Sequence, residues 1–212
     1  MHVVFVSYEY DPNMASLDDL LQVYATIRPW VEALRVEGAE VTVFQRFHEN
    51  ARVECGGVEF VLHKDRHEPH LRKWQWPRSF HRQIKQRSAE ILSQGKLAII
   101  HFNGLHFPLQ LRTLRAALPN RSAIVVQHHA ERPRRGLRRH LHRWALRAAD
   151  GFLFSAKGLA TEWIADGGIR PDQRVYQVME GSTDFRQQDR AAARARTGFS
   201  GDPILLWVGR LV

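Results

Sequence analysis

Two histidines close the run Ile124-Val125-Val126-Gln127-His128-His129. A short apolar run of this kind reads as a strand buried on both faces, and sheets of such strands bind ligands in the crevice beyond their carboxyl ends. Imidazoles placed there can donate or accept a hydrogen bond, or carry a proton near neutral pH. Side chains alternate along a strand, so one of His128 and His129 faces the crevice and the other turns away. A second run, Ile99-Ile100-His101-Phe102-Asn103, ends in polar groups, with His106 shortly after it. Neutral amide and imidazole groups suit recognition of hydroxyl-rich ligands. Glu131 and Arg132 follow His129 into the same crevice. The alternative for each of these residues is strand-end packing and loop capping without chemistry.

Other chemistries are less well supplied. His63, His67 and His70 are spaced loosely like metal ligands, but no carboxylate or cysteine framework supports them, so no metal is expected. No Gly-x-Gly-x-x-Gly follows any apolar run, which argues against a dinucleotide cofactor. The reading calls for no cofactor.

The elements that must position these groups alternate along the chain. His2–Ser7 reads as a buried strand, Tyr8 to Ala15 as a loop, and Ser16-Leu17-Asp18-Asp19 as a helix start of the capping-box type. Leu17, Leu20, Leu21, Tyr24 and Ile27 repeat at helical spacing; Pro29 should kink or restart that helix, with Trp30, Val31 and Leu34 continuing its apolar face. Val41–Phe47 is the next strand, and Val53 to His63 reads as a hairpin around Gly56-Gly57. Lys64–Pro77 has no period and reads as a long loop. Phe80, Ile84, Ile91 and Leu92 mark a helix, Leu97–Phe102 a strand, Leu111, Leu114 and Leu118 a helix, and Ala123–Gln127 a strand. Leu137, Leu141, Trp144 and Ala148 are expected to form the buried face of a helix whose other side carries arginines. Gly151–Ser155, then Leu159, Trp163 and Ile164, then Val175–Met179 repeat the cycle. Such alternation predicts an α/β fold, a parallel sheet with helices on both faces.

Composition bounds the rest. The 212 residues are 44% hydrophobic and 25% charged, which excludes wholesale disorder. The single cysteine, Cys55, excludes a disulfide framework and makes a reducing cytoplasm the expected setting. The longest apolar run, Ile204–Val208, is far shorter than the ~20 residues of a membrane span. Thirty-one basic against twenty-two acidic residues give a charge of +9, concentrated in two places. One holds Arg132, Arg134, Arg135, Arg138, Arg139, Arg143 and Arg147; the other lies between Lys64 and Arg87 and includes Arg72 and Lys73 beside Trp74 and Trp76. Three readings stand for these patches: a solvated face, peripheral contact with anionic lipid in which the tryptophans anchor, and nucleic acid, which ranks last because no recognition module is legible.

Four segments together resemble the retaining nucleotide-sugar glycosyltransferases of family 4, whose architecture is a pair of Rossmann-like domains (GT-B). They are His2 to Leu34, Ile99 to Asn103, Ile124 to His129, and Val178-Met179-Glu180-Gly181-Ser182-Thr183-Asp184-Phe185. After them, Leu205-Leu206-Trp207-Val208-Gly209-Arg210-Leu211 is similar to the first strand of that family's second, nucleotide-binding domain. The resemblance implies transfer of a sugar from a nucleotide-sugar donor to a hydroxyl acceptor, with His129 at the active centre, hydrogen-bonded to the donor sugar near the reacting carbon. It implies an acceptor site at His101, Asn103, His106 and Glu131. It also implies donor contacts from Asn13, Ala15 and Ser16 in the first loop and from Arg210. The family's Gly-Gly pair in that loop is absent, and Glu180 stands where an Asn is usual.

The expected division is an acceptor-binding domain over residues 1–200 and a linker and first strand of a second domain over 201–212. Such a piece should be nearly inactive alone, and its orphan strand could pair with a second copy as a dimer. The alternative is a free-standing Rossmann-like binding module using its basic patches.

Overall fold

The computed structural model describes residues 1–11, 13–24, 26–64, 78–179 and 186–205. The chain enters at the centre of the sheet. β1 (His2–Ser7) is buried along its whole length and pairs in parallel with β2 (Glu40–Phe47) on one side and β5 (Ala98–Asn103) on the other. Alternation then builds two cores from one strand. Val4 and Val6 join Phe80, Ile84, Leu111 and Leu114 on one face, while Val3 and Phe5 join Leu20, Ile27 and Val31 on the other. Each such side chain contributes about 1.5–3 kcal/mol by leaving water.

Among the described residues eight strands run in the order β3-β4-β2-β1-β5-β6-β7-β8, with β3 (Ala51–Cys55), β4 (Val58–Lys64), β6 (Ala123–Gln127), β7 (Gly151–Phe154) and β8 (Arg174–Gln177). Among the described strands only β3 is antiparallel, the short arm of the hairpin predicted at Gly56-Gly57. Both glycines have positive φ, +60° and +74°, the twist that a two-residue hairpin turn demands. Among the described residues seven helices accompany them: α1 (Leu17–Val23), α2 (Ile27–Val36), α3 (Arg78–Ser93), α4 (Pro108–Ala117), α5 (Arg138–Leu146), α6 (Lys157–Ala165) and α7 (Arg190–Thr197). The fold is the expected α/β one, a Rossmann-like parallel sheet with helices on both faces.

Local signals place two boundaries. The capping box at Ser16 and Asp19 forms in both directions. The break between α1 and α2 falls before Ile27, so Pro29 sits in the first turn of α2, where its missing N–H costs nothing. One expectation is overturned. Of that face Ala148 is buried, but Leu137, Leu141 and Trp144 are 89%, 40% and 44% exposed, and α5 buries His142, Ala145 and Leu146 instead. His142 Nε2 reaches the Leu105 carbonyl at 2.6 Å and its ring packs edge-on against Trp163, which turns that side of the helix inward. The last strand is shorter than expected, and Val178 and Met179 lie beyond it, exposed.

Candidate active site

The chain leaves β1 toward β2 on one side and returns to β5 on the other, so the sheet reverses its winding between β1 and β5. The carboxyl ends of strands diverge at such a point and leave a crevice. Here the crevice is a cavity of about 300 Å³. Ser7 and Glu9 enter it from the end of β1, Asn103, Gly104 and His106 from β5, and Gln127 and His129 from β6. Tyr24, Thr26 and Trp30, around the start of α2, form the opposite wall. Among the described residues none of those lining it is lysine or arginine.

His128 and His129 part as alternation requires. His128 stacks on Phe154 in the core, with ring centroids 4.7 Å apart, and its Nε2 bonds the Glu131 carbonyl at 2.9 Å. His129 lines the cleft, its Nε2 donating to Asn103 Oδ1 at 2.6 Å. Two of the residues singled out in sequence are thereby joined across adjacent strands.

Glu131 lies behind this pair rather than in the cleft. Its Oε1 accepts the Leu105 N–H at 2.6 Å and faces His106 Nδ1 at 3.0 Å, while Oε2 accepts the His129 N–H at 2.5 Å. Both oxygens are thus committed, so Glu131 braces the two loops instead of meeting a ligand directly. To reach back, the chain takes a left-handed turn at Ala130 (φ +58°), which costs a non-glycine residue roughly 1–2 kcal/mol. Burial works against the charged carboxylate, but its hydrogen bonds from His106 and the two backbone amides outweigh it and hold the pKa at about 2.

His106 sits between two carboxylates, with Nδ1 on Glu131 and Nε2 on Glu9. Burial lowers its pKa, and the two carboxylates more than reverse this, raising it to about 9. It is therefore an imidazolium at neutral pH. Gly104 makes the approach possible: its φ is +88°, and a Cβ there would lie 3.0 Å from His106 Cε1 and 3.3 Å from Glu131 Oε1.

His101 does not reach the cleft. It is 1% exposed, donates to Gln127 Oε1 at 2.6 Å, and lies edge-on to Trp30 with centroids 4.5 Å apart. Burial holds its pKa down at about 4, so it is a neutral support beneath the floor. Glu9, Tyr24, Thr26 and Trp30 were not singled out from sequence. Glu9 had a usable signal, standing two residues beyond the end of β1. Tyr24 and Trp30 carried only the helical period of a core face. Burial, with Glu9 and Asp11 nearby, pushes the Tyr24 phenol up to about 12, so it remains a hydrogen-bond donor.

The first loop is already satisfied. Asp19 Oδ2 accepts the amides of Ala15 and Ser16 at 3.1 and 2.9 Å, and Asp11 Oδ1 accepts the backbone and side-chain N–H of Asn13, both at 2.9 Å. A donor phosphate would have to displace a carboxylate from each of these groups. Among the expected metal-like histidines, His63 bonds Ser79 Oγ at 2.9 Å; His67 and His70 lie outside the described residues. So do Arg72, Lys73, Trp74, Trp76, the Glu180 to Phe185 segment, Leu206 to Val208 and Arg210. Of the expected strand Ile204–Val208 only Ile204 and Leu205 are described, without strand pairing and exposed. Arg135 is exposed just before α5, and in its first turn Arg138 is exposed and Arg139 half-buried.

No protein-family model matches this sequence, and no curated protein does. Two solved structures of sucrose-phosphate synthase from Thermosynechococcus elongatus are similar to this chain. One is 16% identical with a TM-score of 0.55, over 95% of this chain and 53% of the other. The second, a shorter piece of the same protein, is 14% identical with a TM-score of 0.49, over 93% of this chain and 96% of the other. The chain thus spans about half the length of the longer structure. At these identities the likeness is one of fold.

Proposed function

We propose that this chain is the acceptor-binding half of a retaining glycosyltransferase of the family 4 type. It would move a sugar from a nucleotide-diphosphate sugar to a hydroxyl acceptor. The observation that carries the reading is the cleft itself. His129 and Asn103 are tied together at the switch point, in a cavity that Trp30 and Tyr24 also line. Imidazole and amide groups bond hydroxyls, and flat aromatic walls cover the apolar face of a sugar ring. Among the described residues the one cation in the lining, His106, is shared between two carboxylates, so the cleft favours a neutral polyol over a phosphate. A fold shared with sucrose-phosphate synthase, itself a glycosyltransferase, supports the class of reaction.

In this reading the bond between the anomeric carbon and the donor diphosphate breaks, with its electron pair leaving on the diphosphate. The acceptor oxygen bonds the same face of that carbon and passes its proton to the departing phosphate oxygen. His129, held by Asn103, stabilises the oxocarbenium-like charge through the donor sugar's hydroxyl. Asn103, through its side-chain N–H, and Thr26 take the acceptor, while His106, with both ring nitrogens on carboxylates, holds the wall beside it. Glu131 and His101 position these groups from behind. Residues 1–200 form this domain, and 201–212 open the one that holds the nucleotide, where Arg210 meets the diphosphate. The first loop contributes little to that contact while Asp19 occupies its amides.

The test is a titration of the chain with sugars and polyols, followed by histidine ring NMR signals. His129 and His106 signals should move while His128 stays still. A donor screen by nucleotide release then tests transfer. Movement of none of these signals with any sugar, and no release with any donor, would remove the proposal.

A further inference from the structure

The same loop that closes the cleft opens a second depression on its far side. His106 lines both. This second cavity, about 510 Å³, is a groove between α4 and α5 walled by Pro108, Leu109 and Leu141, with Arg134 and Arg138 at its rim. The outward stripe of α5 continues it. Leu137, Leu141 and Trp144 recur at helical spacing and are all exposed, although each would be more stable out of water.

The charge around this apolar stripe has one sign. From Arg132 to Ala149 there are seven arginines and no carboxylate, and α4 carries none either. Arg143 and Arg115 are tied to Asp166 and Asp150. Among the described residues no carboxylate pairs with Arg134 or Arg138. An apolar stripe set among arginines is complementary to a bilayer of anionic lipid, whose headgroups take the cations while the acyl region takes the leucines. Nucleic acid fits less well. Leucines add nothing to phosphate binding, and the Arg112 guanidinium already lies 4.8 Å above the Trp144 ring, where a base would have to stack.

We propose that the α5 face lies on an anionic membrane and that the α4–α5 groove takes the hydrocarbon chain of a lipid acceptor, whose hydroxyl headgroup reaches the cleft past His106. The acceptor's identity as a lipid rests on the reading of the cleft as an acceptor site; the membrane contact does not. The substrate class is then an amphiphile presented from a bilayer, with its anionic group on Arg134 and Arg138.

Sedimentation with vesicles tests this without any transfer reaction. The chain should bind phosphatidylcholine vesicles containing phosphatidylglycerol, more strongly as the anionic fraction rises, and release as salt screens the charges. The double variant Arg134→Ser/Arg138→Ser should bind about thirtyfold more weakly, from the attraction each surface arginine supplies. Leu137→Ser/Leu141→Ser, which alters only exposed side chains, should lose roughly tenfold at unchanged charge. Millimolar inorganic phosphate should not compete, which separates a lipid surface from a free phosphate site. Equal binding to neutral vesicles, no binding at low salt, full binding by the leucine variant, or displacement by a short RNA at equal concentration would each overturn the proposal. Asn103→Ala reads the cleft alone: it should abolish sugar-induced shifts and leave vesicle binding intact. Loss of sugar binding and loss of membrane binding are thus separable failures.

Discussion

The Nδ1 of His106 lies 3.0 Å from Oε1 of Glu131, while the opposite ring nitrogen is held by Glu9. Residues from the ends of β1, β5 and β6 are locked through one imidazolium, and the wall of the cleft is that lock. Its energetics can be read by titration and substitution.

Stability should crest near pH 6.5. His106 is raised from an ordinary 6.5 to about 9, so its contribution is complete below about pH 6.5 and is lost as the pH rises through 9. His81 and His101 are held down at about 4 by burial, so theirs is present above about 6.5 and lost as the pH falls through 4. Urea unfolding at pH 6.5 and 9.5 should show a loss on the order of 2 kcal/mol for the parent chain, and distinctly less for His106→Gln. Parallel losses in both would show that the ion pairs do not survive in solution.

Glu131→Gln should cost about 2–4 kcal/mol. An amide presents one acceptor oxygen where the carboxylate gives two, so the N–H of Leu105 or of His129 meets a donor instead. Removing the charge should also bring the His106 pKa back toward 6.5, seen by NMR titration of its ring. A destabilised chain with an unmoved His106 would separate the two effects.

At Gly104 a single methyl tests the close approach. Gly104→Ala combines a backbone at φ +88° with a Cβ 3.0 Å from His106. About 1–3 kcal/mol of stability should be lost, together with a lowered His106 pKa as the ring is pushed off its partners. Unchanged thermal melting would mean that the loop relaxes freely.

For His129→Ala the expected pattern is the reverse. The side chain lines the cleft and bonds Asn103 rather than packing in the core, so thermal stability should fall by about 1 kcal/mol or less. Turnover, measured once a donor is known, should fall by about 10²–10³. Unchanged turnover would take His129 out of the active centre.

Much of this protein is legible without coordinates, where the signal is local. β1 reads as buried on both faces because Val3 to Val6 are apolar without interruption. The Ser16–Asp19 capping box and the Gly56-Gly57 turn each satisfy their own backbone within a few residues. The same holds for His128 and His129, since alternation alone decides that they part.

Tertiary structure decided what had two local solutions or a distant partner. On α5 the set Leu137, Leu141, Trp144 and the set His142, Ala145, Leu146 both recur at helical spacing, and periodicity cannot choose between them. The Leu105 carbonyl and Trp163 choose, by taking His142. Glu9 is an ordinary loop acid until parallel pairing of Ser7 with Asn103 brings His106, 97 residues on, against it. Glu131 looked like a ligand contact and became a brace, because two amides and an imidazole reached it first. Periodicity and capping are properties of neighbouring residues, whereas the occupancy of a polar group depends on every chain segment the fold brings near it.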